Sequence, residues 1–265
     1  MSYFKNKVVW LTGASSGIGE ALAYELDRQG ARIILSSRRA DVLAGLKQKL
    51  TAPDRHRVVP LDLEKPFELA SVVNDVLTDG TQVDVLINNG GVAQRSLAAD
   101  TILEVDHRLM LINYLGTVAM TKALLPSMIQ RGQGCVASVS SVAGRIGSQL
   151  RTGYSGSKFA VVGFMECLRA ELWSKGIQVT VLCPGYVNTR VSINAFNGQG
   201  EPDGVMDKTN ANGISAQSCA EQMLQAIAKG KPEVAIGKGV SRWGWPLFRV
   251  WPGLVRRVIR KDAYR

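Results

Sequence analysis

Tyr154 and Lys158 stand four residues apart in the run GYSGSKFAVVGFMECLRAEL, at the start of a long helix-periodic stretch, so their side chains share one helix face. An ammonium held beside a phenol favours phenolate and draws its pKa from about 10 toward neutrality, making Tyr154 a usable general acid or base. The spacing alone is unspecific, since such pairs also decorate ordinary surface helices. A second candidate is TGASSGIG, residues 12–19, which follows the apolar run Val8–Leu11 and precedes a helix-like stretch. A turn containing Gly13, Gly17 and Gly19 lets the backbone approach a pyrophosphate closely, and the helix behind it offers unpaired N–H groups and a partial positive charge. An ordinary tight turn would use the same three glycines.

The next apolar run ends IILSSRRADVL, with Ser37 twenty residues after Gly17. Many NAD-binding folds place a carboxylate there to hold the ribose 2′-hydroxyl. Here Ser37, Arg38 and Arg39 offer a hydroxyl and two guanidiniums, a set that accepts a 2′-phosphate and favours NADP(H) over NAD(H).

These groups need a framework, and the chain alternates β-branched runs with helix-periodic ones. Strands are expected at 7–12, 32–36, 57–62, 83–88, 134–140, 178–183 and 233–236. Helices are expected near 17–29, 40–50, 65–78, 101–131 (as one or two), 152–175 and 216–229. Such repetition predicts a single α/β domain of the Rossmann type, a doubly wound parallel sheet of about seven strands with helices on both faces. Residues 1–239 form that domain, with a long irregular region at 185–215 marked as functional or disordered. Residues 240–265 stand apart as a tail.

At 265 residues the chain suits one large domain. No run of about 18 apolar residues is present and no signal-peptide core follows Met1, which predicts a cytoplasmic protein. Cys135, Cys167, Cys183 and Cys219 are scattered singly and read as packing residues. His56 and His107 have no acid or nucleophile at a telling spacing, so both read as surface or helix residues, and no metal site is expected.

Taken in order, Thr12-Gly13-x-x-x-Gly17-Ile18-Gly19, Asp62-Leu63, Asn88-Asn89-Gly90-Gly91, Asn113, Ser141, Tyr154-x-x-x-Lys158 and Pro184-Gly185-x-Val187-x-Thr189 resemble the short-chain dehydrogenase/reductase family over nearly the whole chain. The resemblance implies that Tyr154 exchanges a proton with a carbonyl or alcohol oxygen while the nicotinamide exchanges hydride. It implies that Ser141 hydrogen-bonds the substrate oxygen, that Lys158 binds the nicotinamide ribose and lowers the tyrosine's pKa, and that Asn113 holds a water linking Lys158 to solvent. It assigns the dinucleotide's phosphates to Gly13, Ser15, Ser16, Gly17, Ile18 and Gly19, its adenine to Asp62 and Leu63, the adenine-side ribose to Asn89 and Gly90, and the nicotinamide end to Pro184, Gly185, Val187 and Thr189. Gly90 departs from the Ala that the family usually has there.

Residues 184–213 resemble the corresponding loop of the membrane-associated subgroup containing 11β-hydroxysteroid dehydrogenase type 1 and the seven and seven B dehydrogenase/reductase members, which implies a lipophilic carbonyl substrate such as a steroid, retinoid or acyl lipid. Helix 152–175 carries Phe159, Val162, Phe164, Met165 and Leu168 beyond its candidate catalytic face, which predicts a homodimer or homotetramer.

The formal net charge is +10, and residues 240–265 hold seven basic groups against the single acid Asp262, together with three of the five tryptophans. Leu254, Val255, Val258 and Ile259 recur at helical spacing opposite Arg256, Arg257, Arg260 and Lys261, which suits peripheral contact with an anionic bilayer on its cytoplasmic face. A tail packed over the substrate cleft or a subunit partner fits the same pattern. Nucleic acid is disfavoured, because the basic and aromatic residues crowd one short tail. Two functions remain open: an active NADP(H)-dependent carbonyl reductase, and a catalytically silent NADP(H)-binding regulator.

Overall fold

The computed structural model describes residues 2–261. Five apolar stretches form the middle of a parallel sheet: β1 (Val8–Thr12), β2 (Arg32–Ser36), β4 (Val85–Asn88), β5 (Gly134–Val139) and β6 (Ile177–Pro184). The short β3 (Arg57–Val58) and β9 (Glu233–Ile236) close its edges, giving the order β3-β2-β1-β4-β5-β6-β9 with every pairing parallel. This is the expected seven-stranded arrangement. Strand β3 is shorter than expected, although Val59 N and Leu61 N continue to donate to the Leu35 and Ser37 carbonyls; Pro60 between them turns its ring nitrogen to the open edge of the sheet, where no ladder bond is lost.

Alternation along the strands sends side chains into two cores. Val9, Leu11, Ile33, Leu35, Val85 and Ile87 face α1 (Gly17–Arg28), α2 (Ala40–Lys49) and α8 (Ala216–Ala228). Trp10, Ile34, Leu86, Val136 and Val181 face α3 (Leu69–Leu77), α5 (Gly116–Arg131) and α6 (Thr152–Glu171). Burial on both faces is what makes these strands read as continuous apolar runs. Trp10 is fully buried and its indole N–H donates to Ser36 Oγ at 2.9 Å, so even the largest core residue is satisfied.

Between β4 and β5 the chain runs without a break through α4 (Leu103–Leu109), a wide π-helical turn (Met110–Leu115) and α5. The run Leu103–Arg131 is long and apolar enough to cross a membrane by length and composition. Here Val105, Leu109, Met120, Leu124 and Met128 are buried within the body of the protein.

Region 185–215 is more ordered than its composition suggested. It contains β7 (Val187–Asn188), paired with β8 (Ile214–Ser215), and the short α7 (Lys208–Ala211). Asp207 caps α7 and is paired with both Arg95 and Arg151, while Arg108 stacks over Phe196 at 4.4 Å. The tail forms α9 (Val240–Val250) and α10 (Pro252–Lys261). Asp262 and Arg265 lie outside the described residues.

His56 is a correction. It is 3% exposed, its Nδ1 accepts the Ile33 N–H at 3.1 Å and its Nε2 lies 3.0 Å from Asp27 Oδ1. The imidazole thus ties β2 to α1, a tertiary pairing that no local spacing announces.

Candidate functional site

The strand order reverses between β1 and β4, and ligands of open α/β sheets bind in the crevice at the carboxyl ends of strands flanking such a reversal. Strand β1 ends at Thr12, whose Oγ1 accepts the N–H groups of Asn89 and Gly90, both at 3.1 Å. Asn89 Nδ2 donates back to the Thr12 and Gly13 carbonyls at 3.1 and 3.3 Å. One hydroxyl and one carboxamide thereby lock the loop after β4 to the glycine loop.

Gly13 adopts φ +67° and Gly17 φ +59°, conformations that L side chains rarely adopt, and a Cβ on Gly13 would sit 2.6 Å from the Gly90 Cα. Gly19 is buried with its Cα against the Gly13 carbonyl, and Ile18 packs on the core beneath. Ser16 precedes α1 in extended conformation without a side-chain hydrogen bond to the helix, so the helix start presents its N–H groups uncapped. Ser15 holds Arg39: the guanidinium donates to Ser15 Oγ at 2.9 Å and Ser15 O at 3.2 Å, while Ser37 Oγ accepts the Arg39 N–H. Arg38 leaves the same strand end more than half exposed, 4.0 Å from Asp62 and 3.7 Å from Glu64. Glu64, absent from the sequence reading, also binds Arg108 at 2.7 Å. Leu63 fills the space against Gly90 that an alanine methyl would take.

At the far side of the crevice, Ser141 ends the β5 segment and caps a short turn, accepting the Ala143 N–H at 3.0 Å and lying 3.4 Å from Pro184 O. The Tyr154 phenol lies near enough to this hydroxyl for it to favour the phenolate. Lys158, one helical turn on, is buried with Nζ donating to Val139 O at 2.9 Å and lying 6.0 Å from the Tyr154 ring centre. Asn113 sits in the π-helical turn, fully buried, exchanging both amide hydrogen bonds with the Val92 backbone (2.8 and 2.9 Å) and donating to Ser157 Oγ at 3.0 Å. Gly91 has Asn113 Oδ1 and Lys158 Nζ beside its Cα, so a methyl there would stand 2.8 and 3.2 Å from them. Gly185 N donates to Ile236 O, Val187 is buried, and Thr189 packs against Gly17, so Pro184–Thr189 borders the glycine loop.

The electrostatics differ from expectation in one respect. Burial raises the Tyr154 pKa above its ordinary value, opposed by the nearby Ser141 hydroxyl and the Arg151 charge, and burial lowers Lys158 to about 8. Both groups are pushed by burial toward their neutral forms. A protonated phenol is the form that donates.

The short chain dehydrogenase family model matches residues 7–200. The chain is a member of the short-chain dehydrogenase/reductase family. As a short-chain dehydrogenase/reductase it is 41% identical over 264 residues to "Dehydrogenase/reductase SDR family protein 7-like" of Drosophila melanogaster, covering 98% of this chain and 81% of that one. It is 39% identical over 267 residues to "Dehydrogenase/reductase SDR family member 7B" of Mus musculus, covering 99% and 83%. Among solved structures, a short-chain dehydrogenase from Streptomyces avermitilis superposes with TM-score 0.78 at 26% identity, covering 96% and 99%. An alcohol dehydrogenase from Thermococcus sibiricus complexed with 5-hydroxy-NADP gives 0.74 at 25%, covering 88% and 97%. The family assignment makes this protein an oxidoreductase.

Proposed function

We propose that this short-chain dehydrogenase/reductase uses NADP(H) to interconvert a ketone or aldehyde and an alcohol, reducing a lipophilic carbonyl. The observation that carries the reading is the convergence of Tyr154, Ser141, Lys158 and Asn113 on one side of the crevice whose other wall is the glycine loop. The cradle fits a dinucleotide: side chains at Gly13 and Gly19 would collide with Gly90, Asn89 and the Gly13 carbonyl and force the close-packed glycine loop apart, and the start of that loop's helix is uncapped. Gly13 to Gly19 would hold the pyrophosphate, Asn89 and Gly90 the adenine-side ribose, Asp62 and Leu63 the adenine, and Pro184 to Thr189 the nicotinamide end. Arg38 and Arg39, with Ser15 and Ser37, favour a 2′-phosphate. When bound, the reduced nicotinamide supplies the hydride.

The chain's own groups handle the proton. Tyr154 donates its phenolic proton to the carbonyl oxygen, and Ser141 hydrogen-bonds that oxygen and fixes the phenol's orientation. Lys158 would bind the nicotinamide ribose. Asn113 would hold a water that links Lys158 to solvent and returns the proton.

Lipophilic substrate is supported by apolar side chains left exposed on the loop, Val191, Val205 and Met206. It is supported also by the tail, where Trp243, Leu247, Val250 and Trp251 line an open apolar groove and Leu254 and Val258 extend it. The basic Arg242, Arg249, Arg256, Arg257 and Arg260 flank this face, which suits an anionic membrane surface. Its inner side meets the body near the site: Arg145 stacks on Trp245 at 5.4 Å and Gln149 lies 3.4 Å from Arg260 O. Truncation after Gly239 should abolish salt-sensitive sedimentation with anionic vesicles; equal binding by both chains would remove the membrane role. Of the α6 residues expected at a subunit contact, Val162, Met165 and Leu168 lie in the core, Phe164 is half-buried against Tyr114, and Phe159 is 45% exposed, so a homodimer or homotetramer rests mainly on Phe159.

The deciding test is a panel of a steroid ketone, a long-chain aliphatic ketone and retinal, with NADPH and NADH, following the reduced nicotinamide's absorbance. Turnover with NADPH that Tyr154→Phe abolishes, at unchanged cofactor affinity, supports the reading. Cofactor binding without turnover of any carbonyl would favour the silent regulator.

A further inference from the structure

We infer that Gln94 is a positioning residue that ties Tyr154 to the substrate loop; this rests on Tyr154 being the proton donor. Gln94 is 1% exposed, on the segment that leaves β4. Its Oε1 accepts the Tyr154 backbone N–H at 3.1 Å. Tyr154 is the third residue of α6, and the first N–H groups of a helix have no partner within it. Arg151, the residue before the helix, does not cap it with its side chain, and the acceptor for the Tyr154 N–H comes from sixty residues upstream.

The amide is oriented by its other end. Nε2 donates to Ser96 Oγ and Thr101 Oγ1, both at 3.2 Å, and those hydroxyls bond each other at 2.7 Å. A main-chain donor on one side and hydroxyls on the other leave one sensible arrangement of the carboxamide.

The backbone on either side of Gln94 belongs to the loop. Ala93 O accepts the Phe196 N–H at 2.9 Å and Arg95 N donates to Phe196 O at 2.8 Å, so Phe196 pairs directly opposite Gln94. The Arg95 guanidinium pairs with Asp207, which also binds Arg151 at 3.3 Å. A displacement of Phe196 therefore moves Gln94 and, through one hydrogen bond, the turn that carries the phenol. The glycine loop is untouched by this connection.

The experiment uses the full chain with Gln94→Leu, which keeps the volume and removes the acceptor, and Gln94→Glu, which keeps the acceptor. Amide exchange of the peptide covering residues 150–158, cofactor affinity, and kcat and KM with the carbonyl chosen by the panel are measured. In Gln94→Leu the first turn of α6 should exchange at least about tenfold faster and kcat should fall about tenfold or more, with cofactor Kd within about twofold. Gln94→Glu should restore protection and bring kcat back within about threefold of the unaltered chain. Unchanged exchange and kcat in Gln94→Leu, or equal damage by Glu, would overturn the assignment. Should Gln94→Leu fail to fold, Thr101→Val, which cuts one tether of the amide, must raise exchange in the same peptide and lower kcat; no change in either overturns it. Gln94-dependent protection in a chain that reduces no carbonyl would uphold the tether and refute the reductase reading instead.

Discussion

Replacing Gly91 by alanine should cripple turnover, whereas the same change at Gly90 should be tolerated. Gly91 has an ordinary φ, so a methyl meets no backbone penalty there and acts through space alone. It would stand 2.8 Å from Asn113 Oδ1, roughly 0.6 Å inside ordinary 3.4 Å contact, and 3.2 Å from Lys158 Nζ. Asn113 cannot step aside cheaply, because it is fully buried and holds Val92 through two hydrogen bonds of 2.8 and 2.9 Å. Each net hydrogen bond contributes about 1 kcal/mol, so weakening both costs about 1–2 kcal/mol of stability. Since a 1 Å misplacement can lower a rate about a hundredfold, a shift of this size should lower kcat about tenfold. At Gly90 the obstructing atom is Leu63 Cδ1, the far end of a side chain that can rotate, so stability and kcat should change by less than about 1 kcal/mol and about threefold. Denaturant melts and kcat at saturating cofactor and carbonyl would be compared for the two variants. A Gly91→Ala enzyme with kcat within twofold of the unaltered chain would show that the Asn113–Lys158 spacing does not matter to the chemistry.

Arg38→Asp should weaken NADPH binding by roughly a hundredfold, from loss of a charge-assisted hydrogen bond and added repulsion, and leave NADH within a few-fold; an unaltered chain that prefers NADH would refute the arginine reading. Because burial lowers Lys158 to about 8 and raises Tyr154, kcat/KM for reduction should fall above about pH 8 as the ammonium is lost, with Lys158 rather than Tyr154 setting that limb. A profile flat from about pH 7 to about pH 10 would contradict this. Burial also lowers the His56 pKa, so in the acid range the unfolded chain binds more protons than the folded one. Stability should be full above about pH 6.5 and decline as pH falls toward the lower folded value, more steeply than in His56→Gln. Parallel melting curves for the two chains would sink that prediction.

The framework could be read from local pattern because its strands are buried on both faces and its glycine loop, Arg38 and Arg39 sit at strand ends marked by composition. Tyr154 and Lys158 were visible for the same reason, sharing one helix. Gln94, Glu64 and His56 were not, because each acts on a partner far away in the chain: Gln94 on Tyr154, Glu64 on Arg108, His56 on Asp27. Nothing within a helical or strand period marks such pairs. The order of region 185–215 escaped for a related reason, since it comes from the Phe196 pairing with Ala93 and Arg95 and from Asp207.

The π-helical turn Met110–Leu115 holds one residue more than a regular helical turn would, and that surplus sits where Asn113 meets Val92. Deleting a single residue from this turn would let α4 and α5 fuse into one uninterrupted helix while withdrawing the carboxamide from the crevice. The glycine loop, Arg38 and Arg39 lie on other elements and would be spared. On the proposed function, such a deletion should leave dinucleotide affinity within a few-fold while abolishing turnover of the carbonyl.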